Sequence, residues 1–248
     1  MPARTPDTER PSAAGDYHSA LTALREHLSE LQLPQIVHRR RAIILFEGPD
    51  GAGKTHALRQ LTAAFDPCHY SVHVTRHDRR EAAEGHWLAR FWRQLPVAGD
   101  TAIFVRSWYR RVLDDRILGH TDDKALARAF DEINEFEAQQ RDYGTLIVKL
   151  YFNVSAEVQA ARLEALKADP WRSMIRGDPP IDAGDPAYTA ALKDVRSYSD
   201  TRWSPWRMID GNDEAGATIA ALSAIADAWA EAMPSEPPHL VDASDRAA

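Results

Sequence analysis

Gly48 to Thr55 reads GPDGAGKT, with the spacing G-x-x-x-x-G-K-[ST] of a P-loop. Glycines at 48, 51 and 53 allow a tight turn whose backbone N–H groups point inward, an arrangement that receives phosphate oxygens. Lys54 brings a point charge to such oxygens, and a helix starting beside it adds a positive N-terminal end. The Thr55 hydroxyl suits a hard divalent cation, and Asp50 places a carboxylate inside the loop, near metal or acceptor. Gly48, Gly51, Ala52, Gly53, Lys54 and Thr55 are therefore expected to bind phosphate, with Asp50 and Thr55 as metal ligands.

A second group follows at Thr101–Arg111, TAIFVRSWYRR, where an apolar run breaks into arginines and aromatics. Arginine stays charged and binds phosphate through a planar fork. Arg106, at the end of the run, is expected to meet phosphate, with Arg110 as a second contact. Trp108 and Tyr109 are read as packing residues, and Arg111 and Arg116 have a solvated helix face as their alternative. A nucleotide-binding strand is expected to end in an acid, but this one ends in Val105. Asp50 is the preferred substitute, while Asp78, Asp100, Asp114 and Asp115 read as surface acids or caps. His69, His73 and His77 share one face of an extended strand, but nothing else in the chain supports a zinc site there.

These residues need a scaffold of alternating elements. RAIILFEG at 41–48 is a short apolar run closed by glycine, a buried parallel strand. Further strands are expected at 69–77, 101–105, 145–154 and 206–209. Helices are expected at 54–65, 84–95, 107–118, 124–141, 156–168, 187–202 and 214–231, with a Pro-, Asp- and Gly-rich loop at 169–186. Tyr17, Leu21, Leu24, Leu28 and Leu31 mark one face of an earlier helix. Alternating strands and helices imply an α/β three-layer sandwich, with helices on both faces of a parallel sheet and ligands at the carboxyl ends of the strands.

Composition sets limits. The chain has 248 residues, 44% hydrophobic and 27% charged, as in a globular protein with a sizeable core. A net charge of -7 argues against a general nucleic-acid or membrane-surface partner. One cysteine, Cys68, excludes an internal disulfide and fits a reducing cytoplasm. Residues 1–16 lack an apolar leader core, and with 233–248 they are expected to be disordered tails around a domain at 17–232. No run approaches a membrane span.

The loop ILFEGPDGAGKT resembles that of the polyphosphate kinase 2 family, usually GxDxAGK. EGHWLARFWRQLPVAGDTAIFVRSWYRR at 84–111 is similar to the family segment that leads to FDRSWY. INEFEAQQRDYGTLIVKLYFNVSAEVQAARL at 133–163, DPWRSM at 169–174 and SPW at 204–206 resemble its later motifs. The resemblance implies a P-loop kinase fold with a helical lid at about 162–186. It implies transfer of a phosphoryl group between inorganic polyphosphate and a nucleotide, with Mg²⁺ or Mn²⁺, in a homo-oligomer. Lys54 and Asp50 would organise phosphate and metal, Arg106 would neutralise the phosphoryl group, and Arg162, Arg172 and Arg176 would close the lid. Val105 stands where the family carries an acid, so an alternative is a relative that binds but is catalytically impaired. A further alternative is a thymidylate-like kinase that uses ATP, whose P-loop FEGPDGAGKT resembles almost as well.

Overall fold

A computed structural model describes residues 13–77, 85–174 and 179–238. The elements are α1 (Ala13–Val37), β1 (Arg41–Glu47), α2 (Lys54–Thr62), β2 (Tyr70–Val74), α3 (Ala89–Trp92), β3 (Thr101–Val105), α4 (Asp114–Ile117), α5 (Asp123–Asp142), β4 (Thr145–Asn153), α6 (Ala156–Ala168), α7 (Pro186–Ser199), β5 (Trp206–Asp210) and α8 (Glu214–Ala232). All strand pairs are parallel, in the order β2-β3-β1-β4-β5.

β1 lies at the centre, between β3 and β4, and is apolar on both sides because both sides are covered. Ala42, Ile44 and Phe46 pack with Leu28 of α1, Leu61 of α2 and Trp229 of α8. Ile43 and Leu45 face the other way, toward Trp108, Ile133 and Phe136 of α5 and Val195 of α7. The expected three-layer α/β sandwich is therefore present.

Three elements differ from expectation. β2 ends at Val74, because this edge strand pairs only with β3, and the Thr75 N–H takes the last carbonyl of that partner, Val105, at 3.1 Å. The helix expected at 84–95 is a single turn, α3, closed off before Pro96. Trp87, Phe91 and Leu95 still pack on the core, whereas Trp92 is half exposed, so the apolar spacing marked burial more than helicity. The helix expected at 107–118 is a 3₁₀ turn, Trp108–Arg111, followed by the short α4.

The 3₁₀ turn is anchored by an ion pair in the core. Lys149 on β4 is fully buried, 3.0 Å from the equally buried Glu137 of α5. The Lys149 ammonium also donates to the Ser199 carbonyl and the Tyr109 hydroxyl, and the Trp108 indole donates to Glu137. Trp108 and Tyr109 are thus packing residues, as expected.

Candidate active site

The P-loop follows from the end of β1. Gly48 has φ 124°, and a Cβ there would lie 2.2 Å from the Phe152 carbonyl oxygen. Only glycine lets the chain leave the central strand so close to β4. Gly53 takes the left-handed N-cap position of α2, which places Lys54 at the start of that helix. The Lys54 ammonium is buried and donates to the Gly48 and Pro49 carbonyls at 2.5 and 2.6 Å. Burial and the nearby Arg106 pull its pKa down to about 8, against the pull of Asp50, Asp114 and Glu47.

The chain turns sharply after β3. Arg106 has φ 57°, the left-handed region that non-glycine residues rarely adopt. Its N–H still extends the sheet, donating to Phe46 at 3.1 Å. Its guanidinium lies between two acids, 3.0 Å from Asp50 in the P-loop and 2.5 Å from Asp114 in α4. Burial works against that charge, but Asp114 and Asp50 outweigh it and raise the pKa further. Burial pushes the Asp50 carboxyl up, yet Arg106 and Lys54 prevail and hold it below its usual range. Asp114 behaves oppositely: its burial outweighs Arg106 and Arg110, and its pKa rises.

Glu47 holds the turn. One of its oxygens accepts both the N–H and the hydroxyl of Ser107, each at 2.6 Å. Those bonds over-determine the strained backbone of the neighbouring Arg106, whose conformation costs about 1–3 kcal/mol. Glu47 is 2% exposed, and burial pushes its pKa from 4.5 up to about 7, with the Asp114 charge adding to the rise. Sequence reading passed over Glu47, although an acid closing an apolar strand just before a P-loop was visible. Phe46 is paired with Val105, so Glu47 stands one residue beyond that pair on the neighbouring strand.

The folded-state pKa of Glu47 lies above its unfolded value. Its contribution to stability is therefore full below about pH 4.5 and disappears as pH rises through about 7. That amounts to at most about 3.5 kcal/mol at one pKa unit per 1.4 kcal/mol. Glu47→Gln keeps an acceptor for Ser107 and removes the titration. Between pH 5 and 7.5, urea melts of this variant should gain stability relative to wild type; parallel curves would contradict the assignment.

The other acids are placed apart. Asp100 immediately precedes β3, at the opposite end of the strand from Val105, where it pairs with His69 at 3.0 Å, so it cannot substitute for an acid at 105. Asp114, read as a surface acid or cap, is instead buried against Arg106. Asp115 pairs with Arg110 at 3.0 Å. Arg110 is buried between Asp115 and Asp114, and Arg111 lies over the Trp87 ring. Arg116 pairs with Asp194 of α7. The three histidines do not converge: His69 meets Asp100, His73 packs against Phe104, and His77 meets Asp115. Asp78 lies outside the described residues.

The profile of Polyphosphate kinase 2 matches residues 12–237. The chain belongs to the polyphosphate kinase 2 family. It is 32% identical over 228 residues to a polyphosphate:AMP phosphotransferase of Pseudomonas syringae pv. tomato, a match covering 88% of this chain and 44% of the relative. It is 29% identical to ADP-polyphosphate phosphotransferase 2 of Rhizobium meliloti, covering 82% and 67%. The chain spans less than half the length of the Pseudomonas relatives. The crystal structure of Polyphosphate Kinase 2 from Arthrobacter aurescens TC1 superimposes with a TM-score of 0.82 at 26% identity, over 98% of this chain and 90% of that one.

Within this polyphosphate kinase 2 fold, the arginines expected on the lid separate. Arg162 of α6 donates to the Gly51, Gly211 and Asn212 carbonyls at 2.7–2.9 Å. In this structure it therefore clasps the P-loop to the turn after β5, and its donors face main chain. Gly211 makes that clasp possible, since a Cβ there would lie 2.4 Å from the Ala52 carbonyl oxygen. Gln159, one helical turn earlier, donates to the Asp50 and Ile181 carbonyls at 2.9 Å and accepts the Ala183 N–H. Sequence reading missed Gly211 and Gln159. Arg172 lies beyond α6, exposed and 3.4 Å from Asp169. Arg176 lies outside the described residues.

The donors around Arg106 fit a hard divalent cation. Asp50 and Asp114 offer carboxylates on either side of it; Thr55 is exposed on the first turn of α2. Mg²⁺ is commonly held by one or two carboxylates together with substrate phosphates, a donor type that Asp50 and Asp114 would offer.

Proposed function

We propose that the chain transfers a phosphoryl group between inorganic polyphosphate and a nucleoside mono- or diphosphate. The observation that supports this most is the array Lys54–Asp50–Arg106–Asp114, in which the P-loop and the end of β3 share one chain of charges. In the nucleotide-phosphorylating direction, a terminal oxygen of the nucleotide attacks the terminal phosphorus of polyphosphate. The bridging P–O bond breaks, and the shortened polyphosphate leaves with the electron pair. Such chemistry depends on positioning and charge neutralisation.

The P-loop amides and Lys54 hold phosphate. Arg106 exchanges a carboxylate for the phosphoryl group in flight. Asp50, with Thr55, would hold Mg²⁺ or Mn²⁺, which would neutralise charge on adjacent phosphates. The segment 162–186 serves as the lid, with Arg172 and Arg176 as its charged contacts, on a kinase domain spanning 17–232. No described helix is long and apolar enough to cross a membrane. A cytoplasmic homo-oligomer belongs to the same proposal.

Lys54→Ala tests the loop. Loss of a preorganised donor to a developing charge typically costs about 10²- to 10³-fold in kcat. Turnover from polyphosphate should fall by that much in a coupled assay, and wild-type turnover would overturn the assignment.

Val105 has its own test. With Glu47 and Asp114 supplying the acids at this end of the strands, Val105→Asp adds a third negative charge there, on the sheet face opposite Glu47. Its kcat should stay level or fall. A gain of tenfold or more would instead favour the impaired relative that Val105 otherwise suggests.

A further inference from the structure

Three side chains outside the phosphate array converge on one point. Asp115 of α4 presents Oδ1 to His77 Nδ1 at 3.5 Å and to His120 Nδ1 at 3.6 Å. The three candidate ligand atoms all lie within 4.8 Å of one another, and the two imidazoles, now stacked with ring centroids 3.8 Å apart, would splay to roughly 5 Å to share a tetrahedral ion. We propose that His77, Asp115 and His120 bind a divalent ion of the zinc class, separate from the oxygen donors around Asp50.

The spacing supports this. Bonds of about 2.0–2.1 Å at a tetrahedral ion put neighbouring ligands about 3.3–3.4 Å apart. Both measured nitrogen-to-oxygen distances lie within a few tenths of an ångström of that value. Two imidazoles and a carboxylate suit zinc, cobalt or nickel, whereas Mg²⁺ prefers oxygen throughout. Asp115 Oδ1 also accepts from Arg110 Nε at 3.0 Å, a bond that fixes the carboxylate in place. A cavity of about 200 Å³ lined by His77 and Asp115 adjoins the cluster, with room for the water that completes a four-coordinate ion.

An ion here ties the segment after β2 to the loop after α4. Asp115 would be shared between the ion and Arg110, which also reaches Asp114, the partner of Arg106. Occupancy of this site therefore reaches the phosphate array through one shared arginine.

The experiment is a Co²⁺ titration of the full chain in a Cys68→Ser background, because Cys68 is an exposed thiol. A single equivalent should produce the intense visible bands of tetrahedral cobalt. Zn²⁺ should abolish them, and excess Mg²⁺ should leave them unchanged. His120→Ala and His120→Asn are read side by side, with metal-free thermal melts showing that each folds. Both should weaken Co²⁺ binding by at least about tenfold. Lys54→Ala should not change it, which separates this site from the phosphoryl-transfer reading. Unchanged Co²⁺ binding in a folded His120 variant, or only the weak spectrum of octahedral cobalt, would overturn the proposal.

Discussion

Arg106→Ala should lower kcat for polyphosphate-dependent phosphoryl transfer by about 10³- to 10⁵-fold, the range of an arginine that neutralises charge in flight. The residue is held for that purpose: its left-handed backbone turns the side chain toward Asp50, and Glu47 locks the turn through Ser107. Arg106→Lys should recover little, since an ammonium cannot reproduce a fork that meets Asp50 and Asp114 together. KM for the nucleotide should change far less than kcat. The substitution also takes from buried Asp114 its nearest described cation, leaving Arg110 at 3.7 Å. A melt must therefore accompany the kinetics, so that lost activity is read on folded protein. A folded Arg106→Ala variant within tenfold of wild type would remove Arg106 from the reaction.

The second large effect is on stability. Lys149→Met should cost about 3–5 kcal/mol, because it strands the Glu137 carboxylate in the core behind the 3₁₀ turn. Glu137→Gln in the same chain should return most of that loss. The amide is neutral and its oxygen still accepts from the Trp108 indole, now at 2.9 Å from Glu137. Urea denaturation of the single and double variants measures both. A single-variant cost below about 1 kcal/mol, or no recovery in the double variant, would show that the pair is not the clamp described.

Much of the scaffold was legible because it rests on local patterns. The apolar run 41–47 followed by glycine gave the central strand, and GPDGAGKT gave the loop with its context. The edges were less legible. β2 stops where its partner runs out of carbonyls, and no residue of its own announces that. The site was legible on its P-loop side, while its other members come from distant segments. Asp114 reached Arg106 only through the 3₁₀ turn, and helical spacing gave the wrong geometry there. Arg162 carried the right charge for a lid, yet its donors are used on three carbonyls that no spacing rule brings near it. Val105 pointed to a missing acid, whereas the buried carboxylates stand on β1 and α4.

The donor of the phosphoryl group tests the central claim most directly. Purified protein with Mg²⁺ is incubated with AMP, ADP or GDP and either polyphosphate or ATP, and the products are followed by phosphorus NMR. The account predicts that polyphosphate is consumed as a nucleotide gains a phosphate, and that Lys54→Ala stops both changes. Transfer from ATP to a nucleoside monophosphate, with none from polyphosphate to any of the three, would contradict it.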